Sequence, residues 1–479
     1  MNNEAEPDLP LPFGISAANG EPLQPLTDSA IEKMLAGPGV RAGVEMRAKS
    51  SGLAVARLVD GSIKPNNLAQ AGWGIIYGAS AGDAIRGGLQ PLIDHRRAEA
   101  KPFVIFEGET GVRPDDTARK WLKRRKIGMD IVDPRRGVPF YLLIVAPPRE
   151  IPFEFQYELD LYWAVGRLWF DDPADFGRYA DSVVRYETGA SQSNRRAVLF
   201  APKHDFDAAT QLFVRQVADP LVDETPETPM WAHDGFGIEP LVGEAATKAA
   251  LANVLRGDGS GAPALLVSGS HGMQFEADDA RQPACQGAIV CQDWDGYGSI
   301  TEAHWFAASN VPSDANLAGM IHFFFACHGG GCSEFDNYDR LGDEPRRLAP
   351  AAFFSRLPQG LLAHPNGGAL AVFAHIERAW SYSFQDDRSA SQLNGFRDVL
   401  RALMRGERIG QATDAFNFKW ASLSTALADA HVNLMRGEDI SLTALGNLWI
   451  ARDDARNFMI LGDPAVRLKL SQQQSIGAA

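Results

Sequence analysis

This 479-residue chain holds only 4 cysteines, Cys285, Cys291, Cys327 and Cys332. So few in so long a chain exclude a disulfide framework, and their spacing is not read as a metal site. No apolar run approaches the ~20 residues of a membrane helix, so no membrane role is expected. Positive charge is also in short supply, with 46 Lys and Arg against 60 Asp and Glu and a formal net charge of −14. Affinity for nucleic-acid backbones rests on clustered Lys and Arg, which excludes a general binder of that class. The one basic run, residues 119–126, reads as the solvated face of a helix. The chain opens Met-Asn-Asn-Glu-Ala-Glu-Pro with no basic, apolar leader, and with so little cysteine the expected compartment is the cytoplasm.

What is present is ordinary globular material, 45% hydrophobic and 22% charged. At ~150 residues per unit the length allows two or three compact units. Residues 1–65 are rich in Pro, Gly and Ala and read as an arm, with one helix over 29–35 introduced by Thr27 and Asp28. From Gly72 onward short apolar runs at 73–77, 103–106, 140–145 and 197–200 alternate with helical stretches at 117–126 and 173–187. The second half repeats the alternation, with strands expected near 264–267, 287–291, 321–325 and 368–374 and helices near 395–405 and 412–434. This pattern predicts an α/β fold of parallel strands with covering helices.

Two strand ends carry the chemistry. One apolar run closes in Ser-Gly-Ser-His271-Gly272; the other, Ile-His-Phe-Phe-Phe over 321–325, closes in Ala-Cys327-His328-Gly-Gly-Gly. Ligands of open α/β sheets collect outside the carboxyl ends of strands, so two such ends can face one cleft. A cysteine thiolate is a strong nucleophile near neutral pH, and an imidazole can give a proton to a departing amine. Gly272 would let the backbone approach a substrate, and its N–H with that of Cys327 could point at a developing oxyanion. The bland alternatives are a buried packing cysteine and a turn histidine. His328 is the rival base, disfavoured because neighbours on a strand end point to opposite sides, and Cys332 lies past the glycines as a bystander. The histidine precedes the cysteine, the order of caspases rather than of papain-like enzymes.

Further runs join this pair. They are Tyr-Leu-Leu-Ile-Val-Ala-Pro-Pro-Arg-Glu-Ile-Pro-Phe (141–153), Tyr-Glu-Leu-Asp-Leu-Tyr-Trp-Ala-Val-Gly-Arg (157–167), Asp171-Asp172, residues 179–187, His-Pro-Asn-Gly-Gly-Ala-Leu-Ala-Val-Phe-Ala-His (364–375) and Asn-Phe-Met-Ile-Leu-Gly-Asp-Pro (457–464). Over residues 100–470 the ordered set resembles the caspase-clan cysteine peptidases, specifically the gingipain-like branch and its CHAT-type relatives. The resemblance implies a caspase-like, gingipain-type α/β/α sandwich with mostly parallel sheets and two subdomains. The expected divisions are an arm (1–65), a first, non-catalytic half (66–200), a catalytic unit (201–470) and a tail (471–479).

It also implies a cysteine endopeptidase that forms an acyl-enzyme on Cys327, with His271 as acid and base and the Gly272 and Cys327 N–H groups as oxyanion hole. Expected partners are a protein or peptide substrate and a regulatory protein, with no cofactor and no metal. Trp380 occupies a place similar to the aromatic lining the family's primary pocket. Asp205 or Asp207 stands like an acid selecting a basic side chain, with helix capping as its other reading. Asp293 and Asp295, flanking Trp294, either meet a basic substrate or are solvated turn residues. Residues 276–316 read as an insertion-like loop, Glu334, Asp336 and Asp339 as a solvated acidic turn or a calcium loop, and Asp463 as a structural group satisfying local backbone donors. Two rival readings stay open: an idle caspase-like scaffold that binds a protein partner, and an acyl transferase or ligase using the same acyl-enzyme.

Overall fold

A computed structural model describes residues 10–35, 59–190, 192–223, 230–257, 259, 261–341, 344–385, 391–438 and 440–470. The expected tail, 471–479, lies outside the described residues. A ten-stranded sheet runs in the order Phe103–Phe106, Trp73–Tyr77, Tyr141–Val145, Ala164–Leu168, Phe458–Gly462, Ala371–His375, Ile321–Phe325, Leu265–Gly269, Arg196–Ala201, Gly237–Val242. Every neighbouring pair is parallel except Ala371–His375 against Phe458–Gly462. Two parallel halves of opposite direction therefore meet at one antiparallel seam. The central strands are buried on both faces, which is why they read as continuous apolar runs and why helices must cover both sides.

Strands 73–77, 103–106 and 321–325 fall where the sequence places them. The helix Asp83–Glu99 was not expected, because Gly87, Gly88 and Pro91 lie inside it. Packing supplies the reason for one of them. A Cβ on Gly88 would come within 3.0 Å of the Gly177 nitrogen in helix Pro173–Thr188, so the pair of glycines lets the two helices touch backbone to backbone. The run at 287–291 leaves the main sheet altogether: Ile289–Val290 joins Gly14–Ser16, Gly272–Gln274 and Trp305–Phe306 in a second, four-stranded sheet. The stretch read as a loop is thus a small folded layer, with Ile15, Met273, Trp294 and Trp305 in its own core.

Asp463 does more than satisfy neighbours. It accepts from Ala465 N (3.0 Å), but also from Trp73 Nε1 (2.9 Å) and Arg96 Nε (2.6 Å), tying the last strand to the first strand and helix of the sheet. Arg96 is fully buried and also pairs with Glu187 at 2.6 Å. Burial works against its charge, yet the two carboxylates hold its pKa well above the ordinary guanidinium value. Removing one partner of a buried pair leaves charge uncompensated, so Asp463→Ala is expected to cost about 3–5 kcal/mol, read by urea unfolding. An unchanged midpoint would contradict this role.

Candidate active site

Four adjacent parallel strands supply the site, each from the loop at its carboxyl end. Gly269 and Phe325 are register partners, so His271 and Cys327, each two residues further on, emerge at the same height. On one side strand Arg196–Ala201 leads to Asp207; on the other, Ala371–His375 leads to Ala379. The backbones touch closely here. A Cβ on Gly272 would fall 1.9 Å from the Cys327 carbonyl oxygen, which requires glycine at that position.

His271 is fully buried, and its Nε2 lies 2.8 Å from Asp207 Oδ2. The same oxygen accepts from Thr210 N (2.8 Å) and Thr210 Oγ1 (2.6 Å), because Asp207 also caps helix Ala208–Phe213. Burial opposes the Asp207 charge, but the His271 ring and these hydrogen bonds outweigh it and hold the carboxyl well below the usual range. With Nε2 so engaged, Nδ1 of His271 is buried without a hydrogen-bond partner among the described residues. Cys327 Sγ accepts from Ala379 N at 3.2 Å. Burial pushes its thiol up to about 12, against the pull of the Ala379 N–H and the Arg378 guanidinium.

One carbonyl oxygen receives both expected oxyanion donors. Gly272 N and Cys327 N donate to Phe13 O at 3.0 and 2.9 Å. The occupant is the chain's own arm, whose Phe13 N in turn donates to Ala379 O at 2.9 Å.

The other expected site residues fall elsewhere. Asp205 is exposed in the turn before Asp207, while Asp207 is engaged by His271 and Thr210. The backbone of Trp380 borders the cleft, but its ring is buried against Tyr338 in a separate cluster. Asp293 accepts from Lys248 N at 2.6 Å, at the start of the remote helix Lys248–Arg256. His328 faces Gln274 at 3.3 Å, and burial lowers its pKa to about 3; Cys332 is buried in its own small cluster, where burial raises its thiol pKa. Glu334, Asp336 and Asp339 each pair with an arginine, Arg347, Arg378 and Arg346.

Residues beyond the sequence reading hold the cleft wall in place. Asp454 accepts from Trp380 N (2.9 Å) and Ser383 Oγ (2.8 Å) and meets His375 Nε2 at 3.0 Å. Phe213, Phe325 and Phe384 form an aromatic box next to His271, around Phe13. Within the sequence these phenylalanines read only as core residues.

A mostly parallel α/β sheet carries a cysteine and a histidine at neighbouring strand ends, and the family match places the chain among the caspase-like cysteine peptidases, a class of hydrolases. The chain belongs to Peptidase family C25, the gingipain family, whose sequence model matches residues 66–469. No curated protein matches it. Among solved structures it is similar to one described as "Structure of Protease", at 10% identity with a TM-score of 0.46, covering 86% of this chain and 80% of that one. It is also similar to the Saccharomyces cerevisiae separase in its complex with securin, at 11% identity with a TM-score of 0.31, covering 72% of this chain and 17% of that one. Among the described residues no helix is long and apolar enough to cross a membrane.

Because the Cys327 thiol is held near 12, it is protonated at neutral pH in this arrangement. Its alkylation by iodoacetamide should rise about tenfold per pH unit past the ordinary thiol range near 8.5, without levelling there. A plateau near that value, located on Cys327 by peptide mapping, would show that the thiol is not shielded as described.

Proposed function

We propose that this cysteine endopeptidase works through an acyl-enzyme on Cys327 with His271 as acid and base. The observation that carries the reading is the convergence of the Gly272 and Cys327 N–H groups on one peptide carbonyl. Two preorganised donors on one oxygen are what an acyl-transfer site aims at the charge that develops during attack. The Cys327 sulfur attacks the carbonyl carbon, its proton passes to Nδ1 of His271, and the oxygen gains charge between the two N–H groups. The same nitrogen then protonates the departing amine, and in the second half it takes a proton from the water that releases the acyl group.

Asp207 acts through His271. Its hydrogen bond favours the Nε2–H tautomer and leaves Nδ1 without a partner among the described residues to serve as the base, a positioning role like that of the third residue in a catalytic triad. The kinship to CHAT-type relatives, a regulatory protein partner and a cytoplasmic setting belong to this reading as well. The four unpaired cysteines support a reducing compartment.

A peptidyl acyloxymethyl ketone should add to Cys327 in the wild type and to nothing in Cys327→Ala, by intact mass and peptide mapping. Failure of every such probe to label a Cys327 that iodoacetamide still reaches would turn the reading to an idle scaffold. Asp207→Ala removes the one oxygen that His271 and Thr210 share, and should lower kcat by on the order of 10³- to 10⁴-fold, with loss of the helix cap costing about 1 kcal/mol of stability. Activity within about twofold of wild type would remove Asp207 from the mechanism.

A further inference from the structure

The arm lies in the cleft as a peptide would. Running backwards from Phe13, the segment pairs antiparallel with the loop after strand Ala371–His375: Phe13 N donates to Ala379 O, Ser381 N donates to Leu11 O at 3.0 Å, and Leu11 N donates to Ser381 Oγ at 3.1 Å. Running forwards, Gly14–Ser16 pairs in parallel with Gly272–Gln274. An extended peptide added to free backbone edges in this way gains affinity from main-chain hydrogen bonds and specificity from alternate side-chain pockets. The peptide bond after Phe13 lies at the thiol. A Cβ on Gly14 would stand 3.1 Å from Cys327 Sγ, so the glycine presses its backbone against the sulfur.

The side chains alternate into two pockets. Phe13 is fully buried beside His271 (5.9 Å between ring centroids), enclosed by Phe325 (4.8 Å), Phe384 (5.8 Å) and Phe213 (6.1 Å). Ile15 drops into the core of the second sheet. Gly269 makes room for the box, since a Cβ there would collide with the Phe213 ring at 2.0 Å.

We propose that residues 10–16 occupy the substrate groove in substrate orientation, so that this peptidase takes an aromatic side chain before the scissile bond and shields its own nucleophile while the segment stays bound. The proposal rests on the acyl-enzyme reading above and replaces a basic preference with an aromatic one. The described walls of the box, Phe213, Phe325 and Phe384, are uncharged aromatic rings, and they give a guanidinium or ammonium group nothing to offset its lost hydration.

The test uses the full chain as wild type and as Phe13→Asp, with acyloxymethyl ketones of Leu-Pro-Phe and Leu-Pro-Arg as probes and Cys327 adduct formation by intact mass as readout. A carboxylate is poorly accepted by the aromatic box, so in Phe13→Asp the groove should be open for a larger fraction of the time. The Leu-Pro-Phe probe should label that variant at least ~10-fold faster than wild type, and faster than the Leu-Pro-Arg probe by a similar factor. Adding the peptide Pro-Leu-Pro-Phe-Gly-Ile-Ser to the variant should slow labelling again, which shows that the variant is folded and the groove intact.

Equal labelling of wild type and variant, or faster labelling by the arginine probe, overturns the proposal while leaving the acyl-enzyme reading in place. Loss of labelling by both probes in a variant whose melting temperature is unchanged, with iodoacetamide still reaching Cys327, overturns the acyl-enzyme reading itself.

Discussion

The register of four neighbouring parallel strands is the constraint on which the rest depends. Phe200 stands level with Ser268, Gly269 with Phe325, and Phe324 with Ala374, so four loops leave the sheet side by side at one edge. Asp207, His271, Cys327 and Ala379 follow in that spatial order although the outer two are 172 positions apart in sequence. A slip of one residue in any of these pairings would turn alternate side chains to the wrong face and break the alignment of loop starts. The strands are held by burial on both faces, and the seam strand is held by Asp463, so the chemistry is anchored to the deepest part of the core.

Around that row the backbone contributes as much as the side chains. The Gly272 and Cys327 N–H groups, the Ala379 carbonyl and the Ser381 N–H are all main-chain groups at a cleft, and left unpaired they would carry the cost of buried, unsatisfied polar atoms. The arm satisfies them. Its placement therefore follows from the same accounting that governs any buried polar group, and a competing peptide must reproduce those bonds before its side chains matter. The loop that carries two of these groups is itself clamped, since Asp454 binds both Trp380 N and Ser383 Oγ.

The sequence shows His271 and Cys327 because each directly follows an apolar run that only a buried strand explains. It shows the strands for the same reason, and the helix at 173–187, which the structure finds over Pro173–Thr188 with Asp172 as its cap. Asp207 was visible as a residue but not in its role, because its partner His271 is 64 positions away and the pairing is created by strand order. The aromatic box was invisible: Phe213 ends a short helix, Phe325 ends a strand, Phe384 sits in a turn, and each looks like ordinary core material until the fold gathers them. Trp380 misled in the opposite sense, since a large aromatic next to a cleft need not turn its ring into it.

Occupancy of the groove and the state of the nucleophile are two faces of one arrangement. The segment that fills the cleft also removes water from Cys327, and desolvation is the largest influence raising that thiol. A thiol so shielded is slow to ionise, so on the proposed reading the covered site is protected from adventitious oxidation. On the proposed reading, departure of the segment returns water to Cys327 and frees the Gly272 and Cys327 N–H groups for a substrate carbonyl. That displacement would remove burial, the largest influence raising the thiol, together with the Phe13 hydrogen bond that lowers it, so access to the groove and the state of Cys327 are coupled through one segment.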